Sequence, residues 1–296
     1  MTGTTDYYGR PVLKAPVWKA YIPVYFFTGG LAGASSTLAL AARLSGNARL
    51  SRSALVTSLI ATAASPPLLV ADLGRPERFL KMLRVAKPTS PMSVGTWVLS
   101  TFAPAATTAA ASELTDRLPR LGRVAAMLAG ALGPAMATYT AVLVADTAIP
   151  AWHGARRELP FLFAGSATAA AAGAALVLTP TADAAAARRL AAVGGAMEIG
   201  ASKAMEHRLG HGVGAPYLDG EAGRLAKAAT ALTAGGTVLL MGARRHWVAR
   251  TAGTLLMAGS LLTRISVFRA GFESATDPAA TIGPQRARLA EAGGSA

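Results

Sequence analysis

The chain has 296 residues, 52% hydrophobic and only 15% charged, with a mean hydropathy of +0.39 and a formal net charge of +14. A soluble domain of this length carries more charge. The basic residues fall in short segments between apolar runs, with no basic face interleaved with aromatics, which sets nucleic acid aside. The absence of cysteine excludes disulfides and any iron–sulfur cluster held by this chain's own thiolates.

The apolar runs predict an all-α integral membrane bundle of about eight transmembrane helices, each near the ~20 residues a bilayer requires. In chain order the spans are Trp18–Leu44, Ala54–Ala71, Val94–Ala111, Val124–Ile149, Leu159–Leu178, Ala184–Ala204, Leu225–Met241 and Val248–Val267. They give one membrane domain over residues 1–268 and a polar tail over 269–296. A barrel is excluded because the runs do not alternate. The polar Met1–Pro16 segment and the length of the first apolar run argue against a cleaved signal peptide. Span six contains Arg188, Arg189, Glu198 and Lys203, and either crosses the bilayer or lies at its interface. In span one, Gly29 and Gly33 share a face suited to close helix packing. Pro66-Pro67 is expected to kink span two.

The loops alternate in kind. The long segment Asp72–Ser93 carries Arg75, Arg78, Lys81, Arg84 and Lys87, and shares a side with both termini, Trp152–Glu158 and Met205–Arg224. The opposite side has short loops with Arg49 and Arg52, Arg117 and Arg120, and Arg244 and Arg245. Basic residues on both sides leave orientation open. The long-loop side reads as a docking face for another protein, with Arg75, Arg78, Arg84 and Lys87 as its contacts.

Four histidines limit haem chemistry. His207 and His211, four apart at a helix end, share one face and cannot sandwich an iron, and no third ligand suggests zinc. Ionisable groups in or beside spans are functional candidates. Asp72, Asp146 and Glu198 are each either proton relays or structurally paired groups. Asp72 has Arg75 or Arg78 as a local partner in the second case. Tyr139, deep in span four, either bonds a neighbouring helix or donates to a quinone carbonyl. No catalytic triad, phosphate loop or metal cluster appears.

Several segments together resemble the NrfD/PsrC family, the membrane subunit of polysulfide reductase-like molybdopterin oxidoreductases. They are Tyr25-Phe26-Phe27-Thr28-Gly29-Gly30-Leu31-Ala32-Gly33-Ala34, Asp72-Leu73-Gly74-Arg75-Pro76 with Arg78-Phe79, and Pro88-Thr89-Ser90-Pro91-Met92-Ser93-Val94-Gly95. Further along come Tyr139-Thr140-Ala141-Val142-Leu143, Ile149-Pro150-Ala151-Trp152, Leu159-Pro160-Phe161-Leu162-Phe163, and Arg264 to Arg269 with Ala270-Gly271, Ser274-Ala275 and Asp277-Pro278. The resemblance implies two four-helix bundles in the cytoplasmic membrane and no haem. It implies a quinone, menaquinone by family expectation, as the cofactor. The partners it implies are a four-cluster iron–sulfur subunit and a molybdopterin catalytic subunit. Tyr139, Tyr25, Thr28 and His153 would meet the quinone, with His153 standing where many relatives have Asn. Asp72, Asp146 and Glu198 would handle protons. The Asp72–Ser93 loop would roof the site. A transporter or proton channel, and an anchor without quinone chemistry, remain the competing readings.

Overall fold

The computed structural model describes residues 13–14, 16–73, 77–242, 245–278 and 280. Among these every regular element is helical. Eight helices have 20 residues or more: α1 (Tyr21–Leu44), α2 (Ala48–Leu73), α4 (Pro91–Thr115), α5 (Pro119–Ala145), α7 (Leu159–Leu178), α8 (Ala185–Leu209), α10 (Gly220–Leu239) and α11 (His246–Thr276). Three short helices, α3 (Glu77–Met82), α6 (Pro150–Gly154) and α9 (Ala215–Leu218), lie in the long loops. Five of the long helices, α1, α2, α5, α7 and α11, are both long and apolar enough to cross a membrane. The remaining three dilute their apolar residues with Ala, Gly and hydroxyl or charged side chains.

The helices form two four-membered rings. In the first, α1 packs on α2 and α5, and α4 closes the ring against the same two. In the second, α11 packs on α10 and α7, and α8 closes it against those two. Helix α7 joins the rings through α1, α2 and α5. Asn47 Nδ2 donates to the Asp183 carbonyl at 2.8 Å and Arg43 meets Glu113, gathering the short loops at one end. Lys19 N–H donates to Asp72 at 2.7 Å and Ala151 N–H to Ser274, gathering the long loops at the other.

Side-chain size explains this packing. The interior is largely Ala, Gly and Ser, whereas Ile60, Val124, Met127, Phe161, Val193 and Val238 point outward. An apolar exterior around a small-residue interior is the arrangement lipid favours. At Gly33 a Cβ would meet the Gly133 carbonyl, so α1 and α5 touch through their backbones, as the glycine face predicts. Buried hydroxyl pairs add polar ties: Ser36–Ser58 at 2.7 Å, Ser65–Thr28 at 2.9 Å and Ser166–Ser260 at 2.8 Å.

Some boundaries differ from expectation. Helix α5 stops at Ala145, four residues before the expected Ile149, because Pro150 lacks an N–H and holds Ile149 extended. Helix α11 continues to Thr276 instead of stopping near Val267, since Ala270, Gly271, Ser274 and Ala275 are buried while Arg269 faces outward. The polar tail therefore begins later than residue 269. His207 ends up in α8 and His211 in the turn after Gly210, whose positive φ of 57° breaks the helix, so they do not share a helical face. Helix α8 is a full member of the second ring, its Gly194 pressed against the Ala169 backbone of α7. Pro66 and Pro67 sit within a continuous α2.

Candidate functional site

At the long-loop end of the first ring, α1, α2, α4 and α5 leave a cavity of about 80 Å³. Its walls are Trp18, Ile22, Phe26, Leu69, Leu99 and Leu143, with Met82 of α3 and Met92 at the start of α4 on the loop side. Its polar groups are few: Tyr25, Tyr139, Asp72 and Thr96. An apolar slot with a small number of oriented polar groups is how proteins hold a small, mostly apolar ligand.

Each polar group is placed by its helix. Tyr25 lies one turn into α1 and Tyr139 lies six residues before the end of α5. Their hydroxyls hydrogen-bond to each other between the neighbouring helices α1 and α5, so the helix-to-helix bond and the cavity lining coexist in one pair. Tyr139 keeps its position because Gly95 of α4 faces its ring, where any Cβ would clash. Asp72, at the end of α2, accepts the Lys19 N–H and so ties the lead-in to α1 over the cavity mouth. The start of α4 is fixed by Ser90, which caps the Ser93 N–H, and by Ser93 Oγ donating to the Val85 carbonyl at 2.6 Å.

An aromatic stack supports this end. Trp152 of α6 is fully buried, donates Nε1–H to the Val267 carbonyl at 2.6 Å and stacks on Trp18 at 5.4 Å. Phe268 and Phe272 of α11 flank it at 6.4 Å each. Gly271 is required there, because a Cβ would enter the indole.

The structure brings Tyr25, Tyr139 and Asp72 together and separates the other sequence candidates. Thr28 is buried one turn below, donating to the Tyr25 carbonyl and accepting from Ser65, and does not line the cavity. His153 turns its Nδ1 to the Ala145 carbonyl at 3.2 Å, closing the frayed end of α5. Asp146 is exposed, as the residue capping that same end. Glu198 belongs to the second ring. Arg75 lies outside the described residues, and so does the side chain of Arg78. Arg84 and Lys87 are exposed on the loop above the cavity. The pairing of Asp72 with Arg75 or Arg78 therefore falls outside the described residues and side chains; the partner described for Asp72 is the Lys19 backbone N–H.

Sequence reasoning missed Gly95 and Thr96, although Gly95 closes the Pro88–Gly95 motif. It also left Arg264 without a role. Arg264 is fully buried, donates Nη2–H to the Phe163 carbonyl at 2.8 Å and lies 3.6 Å above the Phe163 ring. A charged residue at the centre of an apolar run was the available signal. Among the described residues no group of three or more His, Asp or Glu is placed to hold a metal.

A family model described as "Polysulphide reductase, NrfD" matches residues 11–193, more than half of the chain. The matched stretch contains the whole first ring and every residue lining the cavity. No curated protein matches the chain.

Proposed function

Since the chain belongs to the polysulphide reductase NrfD family, and is thereby a multi-pass membrane subunit of polysulfide reductase-like oxidoreductases, we propose that it is the quinone-reactive anchor of such an enzyme, with all eight long helices crossing the membrane. The observation that carries this reading is the pairing of Tyr25 and Tyr139 in an apolar slot beside Asp72. A quinone needs a donor at its carbonyl, apolar walls for its ring and a carboxylate near water for its protons. Here the tyrosine hydroxyls are the donors, Ile22, Phe26, Leu99 and Leu143 are the walls, and Asp72 is the proton carrier at the mouth.

When bound, the quinone supplies the two-electron, two-proton chemistry. The chain's own residues orient it, exclude water from its ring and exchange protons with it. Tyr139 and Tyr25, whose hydroxyls share one hydrogen bond in the slot, would offer a phenolic O–H to a quinone carbonyl in place of that bond. Arg84 and Lys87 lie exposed above the slot, where an acidic partner surface carrying iron–sulfur clusters would dock over Met82 and Met92. Of the proton carriers suggested by sequence, Asp72 fits this site; Asp146 and Glu198 do not reach it, and neither does His153, expected at the quinone.

The test is Tyr139→Phe in the assembled complex. A hydrogen bond worth ~1–1.5 kcal/mol predicts about a tenfold fall in quinone-linked turnover. Turnover with an artificial electron donor that bypasses the membrane subunit should be unchanged. Unchanged quinone-linked turnover would remove Tyr139 from the site.

A further inference from the structure

The second ring contains a separate polar chamber. Glu198 is 3% exposed in the middle of α8, and its carboxylate accepts hydrogen bonds from Thr263 of α11 at 2.5 Å and Thr233 of α10 at 3.2 Å. Ser202 and Glu206 follow on the same face of α8, one and two turns toward the long-loop end. Together with Tyr217, Thr230 and Ser266 they line a cavity of about 20 Å³, enough for a water molecule. Ser202 Oγ donates to Glu206 at 3.2 Å. Glu206 in turn pairs with Lys203, whose side chain is 61% exposed.

Exposure thus rises steadily from Glu198 to Lys203. In the opposite direction the path is closed by the apolar packing of Ala169, Ala172, Ala191 and Leu256. Toward the first ring stands Arg264, whose Nε and Nη1 have no hydrogen-bond partner among the described residues and whose Nη2 would lie 3.2 Å from a Cβ at Gly30 of α1. The charged and titratable groups facing Glu198 are therefore Arg264 on α11, Glu206 on its own helix and Tyr217 of α9; α7 and α10 present only hydroxyls, Ser166, Thr230 and Thr233.

We infer that the Glu198–Ser202–Glu206 face of α8 is a proton half-channel, open to the long-loop face and ending at Glu198. A proton arriving at Glu206 passes through Ser202 and a water seated in the cavity, which has room for one, to a Glu198 carboxylate oxygen. One O–H bond forms there as one breaks on the water, with no change in electron count. The chamber lies in the other ring from the quinone cavity, so it stands or falls independently of that assignment. Unlike a buried structural carboxylate, a half-channel exchanges its proton quickly with solvent on one side.

Infrared difference spectroscopy of the full chain in lipid nanodiscs tests this, using pH jumps in H₂O and D₂O. The expected result is a buried carboxylic-acid band that forms on acidification, shifts in D₂O within the mixing time and is missing in Glu198→Gln. In Ser202→Leu, which plugs the path without touching the carboxylate, the band should persist. Its isotope exchange should slow by about tenfold or more, because exchange then waits on local opening. A band unaffected by Glu198→Gln, the lack of any such band, or wild-type exchange rates in Ser202→Leu would each overturn the half-channel.

Discussion

Tyr139 and Gly95 show how much one contact decides. The Tyr139 ring occupies the space a Cβ at Gly95 would need, so the phenol stays aimed at Tyr25 and into the slot. Gly95→Leu should therefore displace the Tyr139 ring and fill the cavity while leaving α4 helical, because Leu is a better helix former than Gly. The expected outcome is loss of quinone retained on purification, measured by extraction, with unchanged far-ultraviolet circular dichroism. Tyr139 and Asp72 were legible in the sequence because an ionisable or phenolic group in an apolar run stands out. Gly95 was not, because its meaning lies in which ring it faces, and spacing along one helix carries no information about a neighbour. The same gap explains His153 and Asp146. Both sit near Pro150 in sequence, yet one bonds a helix end and the other points to solvent.

Among the elements, the ends of α7 and α8 are fastened by charge. Arg208 holds Glu158 in a two-pronged ion pair and also donates to the Gly154 carbonyl. The hydrogen bond from Arg208 holds the Glu158 carboxyl below its ordinary range. A carboxylate whose folded pKa is depressed stabilises the fold above its unfolded pKa, and that stabilisation is lost as pH falls through the folded value. Glu158→Gln should accordingly lower the melting temperature at neutral pH, and the deficit should shrink as the pH falls below the ordinary carboxylate range and the wild-type carboxyl takes up its proton. Thermal melts of both proteins across that range check it, and an equal deficit at both ends would refute the assignment. Helix existence was readable from apolar runs, whereas helix ends were not. Helix α11 outran its apolar stretch because burial against Trp152 rewards Gly271 and Ser274, residues that hydropathy alone scores as polar or neutral.

For the whole molecule, the two-ring architecture places the Tyr25–Tyr139 cavity and the exposed Arg84 and Lys87 at one end. Eight long helices and two rings were expected from the apolar runs and from the family resemblance, respectively. The pairing of rings through α7 was not, because its Ala-rich surface gives no directional signal in sequence: 14 of its 20 residues are buried. If the long-loop end docks an acidic electron carrier, Arg84→Glu combined with Lys87→Glu should weaken co-purification of the iron–sulfur subunit, and more so at low salt, where exposed charges act at longer range. Retention equal to wild type at every salt concentration would place the docking surface elsewhere. The central claim is that a quinone sits between Tyr25 and Tyr139, and photo-crosslinking a quinone analogue to the full chain in nanodiscs tests it most directly. Mass spectrometry should find adducts within Ile22–Phe26, Met92–Leu99 and Tyr139–Leu143, all suppressed by excess unlabelled quinone; adducts confined to α8, α10 and α11, or insensitive to that competitor, would contradict it.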